Sequence, residues 1–392
     1  MHNWLLPEYI EDLLPPQAAR VETLRQGLLH LFRVHGYELV SPPLIEYLDS
    51  LLTGAGSDLD TKTFKLADQL SGRSMGLRAD ITPQTARIDA HILNRQGIAR
   101  LCYAGSVIHT VPDRANRSRE LMQLGAELYG HAGFEADLEI IRLMLQGLKL
   151  AGISNIHLDL GHVGIFRCLL EHAGISDDTE TRNLFAALQS KNITEIKRLT
   201  SHLDSISQVA FTTLSQLYGG EDILDEAFRQ LPSHLEITRA LDELRAMTTD
   251  LRGMATINLD LGELRGYNYH SGIVFAAYTA NHPQPLASGG RYDEVGKCFG
   301  RSRPATGFSL DLRDLARLTA QELPSNVILA PAIRNAKLAA RIADLRAQGE
   351  IVIVDLPGHE AWRDEYRYNR RLEQTTEGEW VVAPRSEPGL AS

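Results

Sequence analysis

Val21, Leu24, Leu28 and Leu31 recur at the spacing of one helix face, so a helix is predicted over residues 17–35. Gly36 ends it, because glycine accepts the left-handed turn that closes a helix. Tyr37-Glu38-Leu39-Val40 then predicts a strand, stopped by Pro42-Pro43. From about residue 62 to 160 the pattern becomes sheet-rich. "MGLRADIT" (75–82), "RLCYAGSVI" (100–108), "LMQLGAELYG" (121–130) and "NIHLDLG" (155–161) predict strands. Helices are expected between them at 83–96 and 134–151, the second with Leu138, Ile141, Leu145 and Leu148 on one face.

Between about 165 and 253 glycine thins out, and polar and apolar residues mix at a period near 3.6, the mark of a helical insertion. Strands resume in "ATINLDLGELRGYNYHSGIVFAAYT" (255–279). A glycine-rich segment, "ASGGRYDEVGKCFG" (287–300), and a helix over about 310–320 follow. Leu323-Pro324-Ser325 predicts a linker. Beyond it, the run from "NVILAP" to "EWVVAP" alternates strand, helix, strand, helix, strand, a small α/β unit. The expected division is therefore 1–322 and 323–392.

Composition narrows the function classes. Apolar content of 43% and charged content of 23% are ordinary for a globular protein. Three cysteines, Cys102, Cys168 and Cys298, are widely spaced and odd in number, which fits a reducing compartment; each reads as a small core residue. The N-terminus lacks a basic region followed by an apolar core, and no apolar run approaches the roughly 18 residues of a membrane span. A cytoplasmic location is expected. The net charge of −10 opposes binding to nucleic acid, which needs basic residues to displace phosphate counterions. Around 334–371 arginines alternate with acids, the pattern of a solvated surface.

The densest polar signature is "LDLGELRGYNYHSGIVFAAY". Read as a strand, it puts Arg265, Tyr267 and Tyr269 on one face and Gly266, Asn268 and His270 on the other. Arg265 suits a carboxylate, because its planar fork matches two oxygens; equally it could pair internally with Asp80, Glu127 or Asp260. Asp80, Gln123 and Glu127 are polar residues inside apolar strands, and a buried carboxylate is costly unless paired. With an arginine they would suit an amino acid, or they form an internal network; the residues alone do not separate these. Arg114, Arg117 and Arg119 lie in a loop that would serve a protein surface, an anion or only solvent. The 14 histidines show no metal-ligand spacing, and neither a phosphate-binding Walker loop nor a G-x-S-x-G elbow is present. No metal and no cofactor are expected.

"LRADIT", "QLGAELYG", "LRGYNYHSGIVF" and "SGGRYDEV" occur in the order found in histidyl-tRNA synthetases, and over about residues 10–320 the chain resembles that class II family. The resemblance implies an α+β fold, a class II antiparallel sheet flanked by helices. The unit at 17–43 resembles the motif that builds the class II dimer interface. By the same resemblance Asp80 and Gln123 hold an α-amino group, Glu127 an imidazole and Arg265 a carboxylate, with Tyr269 and Tyr292 lining the pocket. His270 stands where the family has a second consecutive tyrosine.

The departures fall on the ATP side. Where the family carries Phe-Arg-x-Glu, this chain has Ile108, His109, Thr110 and Val111. The third motif, Gly-Phe-Ala-x-Gly-x-Glu-Arg in the family, reads Gly307-Phe308-Ser309-Leu310-Asp311-Leu312-Arg313-Asp314, with Asp314 in the place of the arginine and Asp311 in that of the second glycine. Losing one preorganised donor to a developing charge costs on the order of 3 kcal/mol, and two are lost. A kept histidine pocket beside a dismantled ATP site resembles the regulatory-subunit family of ATP phosphoribosyltransferase. That resemblance implies a non-catalytic dimer joined to the short catalytic subunit HisG, typically as a hetero-octamer, in the first step of histidine biosynthesis, with L-histidine as feedback ligand. The C-terminal unit resembles a shortened anticodon-binding domain; without a basic face, no tRNA binding is expected.

Overall fold

The computed structural model describes residues 4–53, 57–112, 118–264, 266–267, 269–280, 282–319 and 326–385, without the side chains of 57, 58, 360 and 364. Arg114, Arg117, Arg265, Asn268 and the linker Leu323-Pro324-Ser325 lie outside the described residues. The chain divides into Met1–Thr319 and Ala320–Ser392.

The first unit is built on a nine-stranded sheet. Its spatial order is Glu38–Leu39, Ala99–Ile108, Glu120–Tyr129, Ala305–Asp311, His282–Arg291, Ile273–Thr279, Ile156–His162, Thr256–Asp260 and Tyr218–Gly219. Pairing is antiparallel except between the first two strands and between Ile156–His162 and Thr256–Asp260. The helices Pro15–Val34, Phe134–Leu150 and Leu312–Leu318 bury apolar residues in the same core as this sheet. Pro15 and Pro16 open the first helix with φ already fixed, and Gly36 closes it at φ +85°. Its buried stripe is Val21, Leu24, Leu28 and Phe32, so Phe32 takes the place expected of Leu31, which is only half-buried.

The insertion after Ile156–His162 contains six helices: Val163–His172, Asp178–Gln189, Ile193–Leu199, Ser205–Leu214, Asp222–Gln230 and Leu235–Asp250. Asp177, Asn192 and Asp204 cap three of them by accepting backbone N–H groups that would otherwise lack partners. Phe166, Leu188, Phe211, Leu214 and Leu244 are fully buried in its core.

Three expectations fail locally. The strand expected over 75–82 ends at Leu77, so Asp80 lies in the turn that follows it. The stretch 255–279 is not continuous strand: between Thr256–Asp260 and Ile273–Thr279 the chain turns, with Tyr267 N–H bonded to the Leu264 carbonyl and His270 N–H to the Gly266 carbonyl. Gly266 adopts φ +67°, which a side chain would resist. Tyr267 and Tyr269 therefore do not share a strand face. Tyr267 packs on Phe166 and Phe185 of the insertion, whereas Tyr269 packs on Tyr292. Cys298, expected in a core, is exposed; Cys102 and Cys168 are buried.

In the second unit Val327–Pro331 pairs in parallel with Ile351–Asp355 and with Arg370–Gln374, and Trp380–Pro384 closes the sheet antiparallel to Arg370–Gln374. Arg370–Gln374 is a strand that periodicity did not reveal, and the second expected helix is the short 3-10 segment Glu360–Tyr366. Among the described residues, no helix is long and apolar enough to cross a membrane.

Candidate functional site

Pairing in the centre of the large sheet sets Glu127 directly opposite Gly307, which in turn pairs with Gly290. A strand with glycine at this point leaves room over the sheet. A Cβ on Gly307 would come within 1.6 Å of the Glu127 carboxyl oxygen Oε2. Glu127 thus stands at a cavity of about 190 Å³, lined among others by Asp80, Thr82, Tyr269, His270 and Tyr292. That volume lies below the range of roughly 300–1,000 Å³ typical for drug-sized ligands, and suits a molecule the size of an amino acid.

Glu127 is 1% exposed. The Tyr103 hydroxyl donates to its Oε1 at 3.0 Å and the Tyr292 hydroxyl donates to Oε2. Tyr103 in turn lies 3.0 Å from the Thr82 hydroxyl. Burial pushes the Glu127 carboxyl up to about 8, against the pull of the two phenols. Tyr103 and Thr82 complete this chain, and sequence reasoning missed both. The available signal was Gly125, which pairs opposite Tyr103 and clears the space its ring fills.

Asp80 and Gln123 meet beside it. Gln123 Nε2 donates to Asp80 Oδ1 at 2.8 Å, while Gln123 Oε1 accepts the Ile81 N–H at 2.8 Å. Asp80 Oδ1 also accepts the Thr82 N–H at 2.9 Å, capping the turn into the helix Thr82–Arg87. Tyr269 and Tyr292 pack at a tilt of 34° with ring centres 5.0 Å apart. The Tyr269 hydroxyl and the His270 Nδ1 are shielded from solvent and have no hydrogen-bond partner among the described residues. Burial pushes His270 down to about 4, so its ring is neutral near pH 7. From the insertion, Arg167 donates to the carbonyls of Tyr267 at 3.0 Å and His270 at 2.6 Å, fixing the turn that carries these rings.

The cavity therefore gathers Asp80, Gln123's partner carboxylate, with Glu127, Tyr269, His270 and Tyr292. Asp159 and Glu263, which sequence reasoning did not single out, also line it. Four carboxyl side chains and no lysine or arginine line it among the described residues, a composition that attracts cationic groups and repels phosphates.

The neighbouring cavity of about 320 Å³ is lined by Lys62, Asp80, His109, Gln123 and Asp311 among others. His109 is buried, with Nε2 donating to the Ala79 carbonyl at 2.9 Å and its backbone closing the hairpin with Arg119. Arg119 is spent on structure: its Nε donates to the His109 carbonyl at 3.0 Å and its guanidinium lies 4.9 Å over the Phe64 ring. Val111 is exposed. Asp311 accepts the N–H groups of Met122 and Arg313, capping the helix Leu312–Leu318. Asp314 pairs with Arg317 at 3.3 Å, and the buried Arg313 pairs with Glu120 at 3.0 Å. Arg291 of "SGGRYDEV" is locked in a buried pair with Asp137 at 2.7 Å.

Comparison with known proteins gives the family and the fold. Residues 9–315 match the histidyl-tRNA synthetase family model, and residues 325–383 match that of the ATP phosphoribosyltransferase subunit HisZ C-terminal domain. The ATP phosphoribosyltransferase regulatory subunit of Ralstonia nicotianae is 54% identical over 98% of this chain and 99% of its own length. That of Methylobacillus flagellatus is 54% identical over 97% of this chain and 98% of its own. A crystal structure described as an ATP phosphoribosyltransferase regulatory subunit/histidyl-tRNA synthetase from Bacillus halodurans superposes with a TM-score of 0.83, at 29% identity over 95% of this chain and 98% of that one. Histidyl-tRNA synthetase from Nostoc sp. shares the fold alone, with a TM-score of 0.77 at 17% identity over 98% of this chain and 97% of that one.

Proposed function

The chain belongs to the family of ATP phosphoribosyltransferase regulatory subunits, and on that premise we propose that its synthetase-like cavity is the sensor for L-histidine, while a separate catalytic subunit of the HisG type performs the chemistry. The observation that carries this reading is the buried Glu127, held by two phenols at the end of an acidic cavity of about 190 Å³. An imidazole reaching it meets a carboxyl group able to exchange a proton and form a charge-assisted hydrogen bond. Asp80, with Gln123 orienting it, takes the α-ammonium group. Tyr269 and Tyr292 flank the ring, and the free Nδ1 of His270 offers a further polar contact. Arg265 supplies the carboxylate partner in this reading.

The triphosphate side supports a silent role. The positions that would grip phosphate are occupied by a buried histidine bonded to a backbone carbonyl and by an aspartate paired with its own helix. No clamp for a triphosphate is assembled among the described residues, so the amino acid is held without being activated. A dimer of this chain joined to the catalytic subunit in a hetero-octamer, in the cytoplasm and without tRNA, completes the reading.

The test is a steady-state assay of the chain mixed with its catalytic subunit at varied histidine. Glu127→Gln keeps the shape of the side chain but removes its ability to ionise. The inhibition constant for histidine is expected to rise at least about tenfold, the loss of one charge-assisted hydrogen bond. An unchanged constant in Glu127→Gln overturns the assignment.

A further inference from the structure

Away from this cavity, the insertion brings together three side chains of metal-ligand type. Cys168 and His172 lie one turn apart on the helix Val163–His172, and Glu236 lies in the first turn of Leu235–Asp250. One ligand atom from each, all three within 4.8 Å of one another, faces a common space. No metal was expected from the sequence, where the histidines showed no metal-ligand spacing; the Cys168/His172 pair, four residues apart on one helix, was overlooked, and the third group comes from a distant helix.

We propose that Cys168, His172 and Glu236 form a binding site for a thiophilic divalent transition-metal ion of the zinc type. Sulfur, imidazole nitrogen and carboxylate oxygen are the donors such an ion takes, and calcium or magnesium would not choose the sulfur. The ion would sit about 2.3 Å from sulfur and about 2.0–2.1 Å from nitrogen, which requires the ligands to close by less than an ångström or so. Glu236 is exposed and able to swing toward the ion, whereas Cys168 is 4% exposed and fixed.

Two further features support the site. The His234 ring stacks on that of His172 with centres 3.6 Å apart and planes 3° apart, which holds the orientation of the ligating ring. The Ile237 N–H, in the first turn of its helix, donates to the Cys168 sulfur, a contact that favours the thiolate. Binding breaks the S–H bond, forms the sulfur–metal bond and releases the proton to solvent. Cys168 and Glu236 open onto a groove of about 320 Å³ that is also lined by His162, Arg167, Glu171, Arg239 and Glu243.

Untagged full-length chain titrated with Co²⁺ tests this, because a thiolate ligand gives an intense near-ultraviolet charge-transfer band. One equivalent is expected to produce it, and Zn²⁺ should displace it and raise the thermal midpoint. Cys168→Ser should abolish the band and Cys298→Ser should leave it intact. His172→Ala and Glu236→Gln should each weaken Co²⁺ binding at least about tenfold. Absence of the band, or its loss in Cys298→Ser rather than Cys168→Ser, overturns the site. Should Cys168→Ser fail to fold, undiminished Co²⁺ affinity in the surface variant His172→Ala overturns it instead.

Discussion

Glu127 holds its proton into the neutral range because burial outweighs two phenolic hydrogen bonds. This has two consequences of fixed sign. Its folded-state value of about 8 lies above the ordinary carboxylate value of 4.5, so the neutral form stabilises the fold. That contribution is full below about pH 4.5 and is lost as the pH rises toward 8. In the proposed histidine complex, one proton is shared between carboxyl and imidazole. Free histidine gains a second proton below about pH 6.5, and the empty pocket loses its own above about 8. Affinity measured by calorimetry is therefore expected to peak between these values and fall on both sides. Glu127→Gln should remove the alkaline fall, and a flat profile for the natural chain would contradict the proton-sharing arrangement. Glu127 and Asp80 stood out in the sequence as carboxylates inside apolar strands. Tyr103 and Thr82 did not, because a tyrosine in a strand and a threonine at a helix start have ordinary uses.

At the scale of elements, the cavity exists because strand register sets a glycine against a carboxylate. Gly307→Ala places a methyl group within 1.6 Å of Glu127 Oε2 across the Ala305–Asp311/Glu120–Tyr129 pair. The carboxyl must leave its two phenols. Overpacking of this kind costs about 1–3 kcal/mol, which urea unfolding can measure, and histidine binding should be lost in calorimetry. Retained binding in Gly307→Ala would mean that the ligand does not use Glu127. The long helices were legible by period and the long strands as apolar runs, the central ones buried on both faces over much of their length. Periodicity failed at 261–270, where the alternation of Tyr267 and Tyr269 suggested a strand but Gly262 and Gly266 allow turns, and these two rings then serve different neighbours. It failed again at Arg370–Gln374, whose charged sequence hides a strand with only Leu372 deeply buried. The helical insertion was legible from its thinning glycine and its period near 3.6, and Asp177, Asn192 and Asp204 cap three of its helices.

On the scale of the whole molecule, the proposed function requires that a pocket holding an amino acid without activating it act by changing an equilibrium elsewhere. The chain alone should show no histidine-dependent exchange of pyrophosphate into ATP, since His109 and Asp314 are both committed to structural contacts. Its influence must then appear as a coupling free energy between the histidine cavity and the active site of the catalytic partner, typically about 1–3 kcal/mol, or roughly 5–150-fold in affinity. Linkage makes that coupling reciprocal. Whatever factor histidine imposes on binding of substrates to the complex, those substrates must impose on binding of histidine. Calorimetric titration of histidine into the assembled complex, with and without saturating substrates, should return the same factor as the substrate titrations made with and without histidine. Two unequal factors at equilibrium would mean that the measured histidine is bound at some other place, and that the cavity around Glu127 is not the sensor.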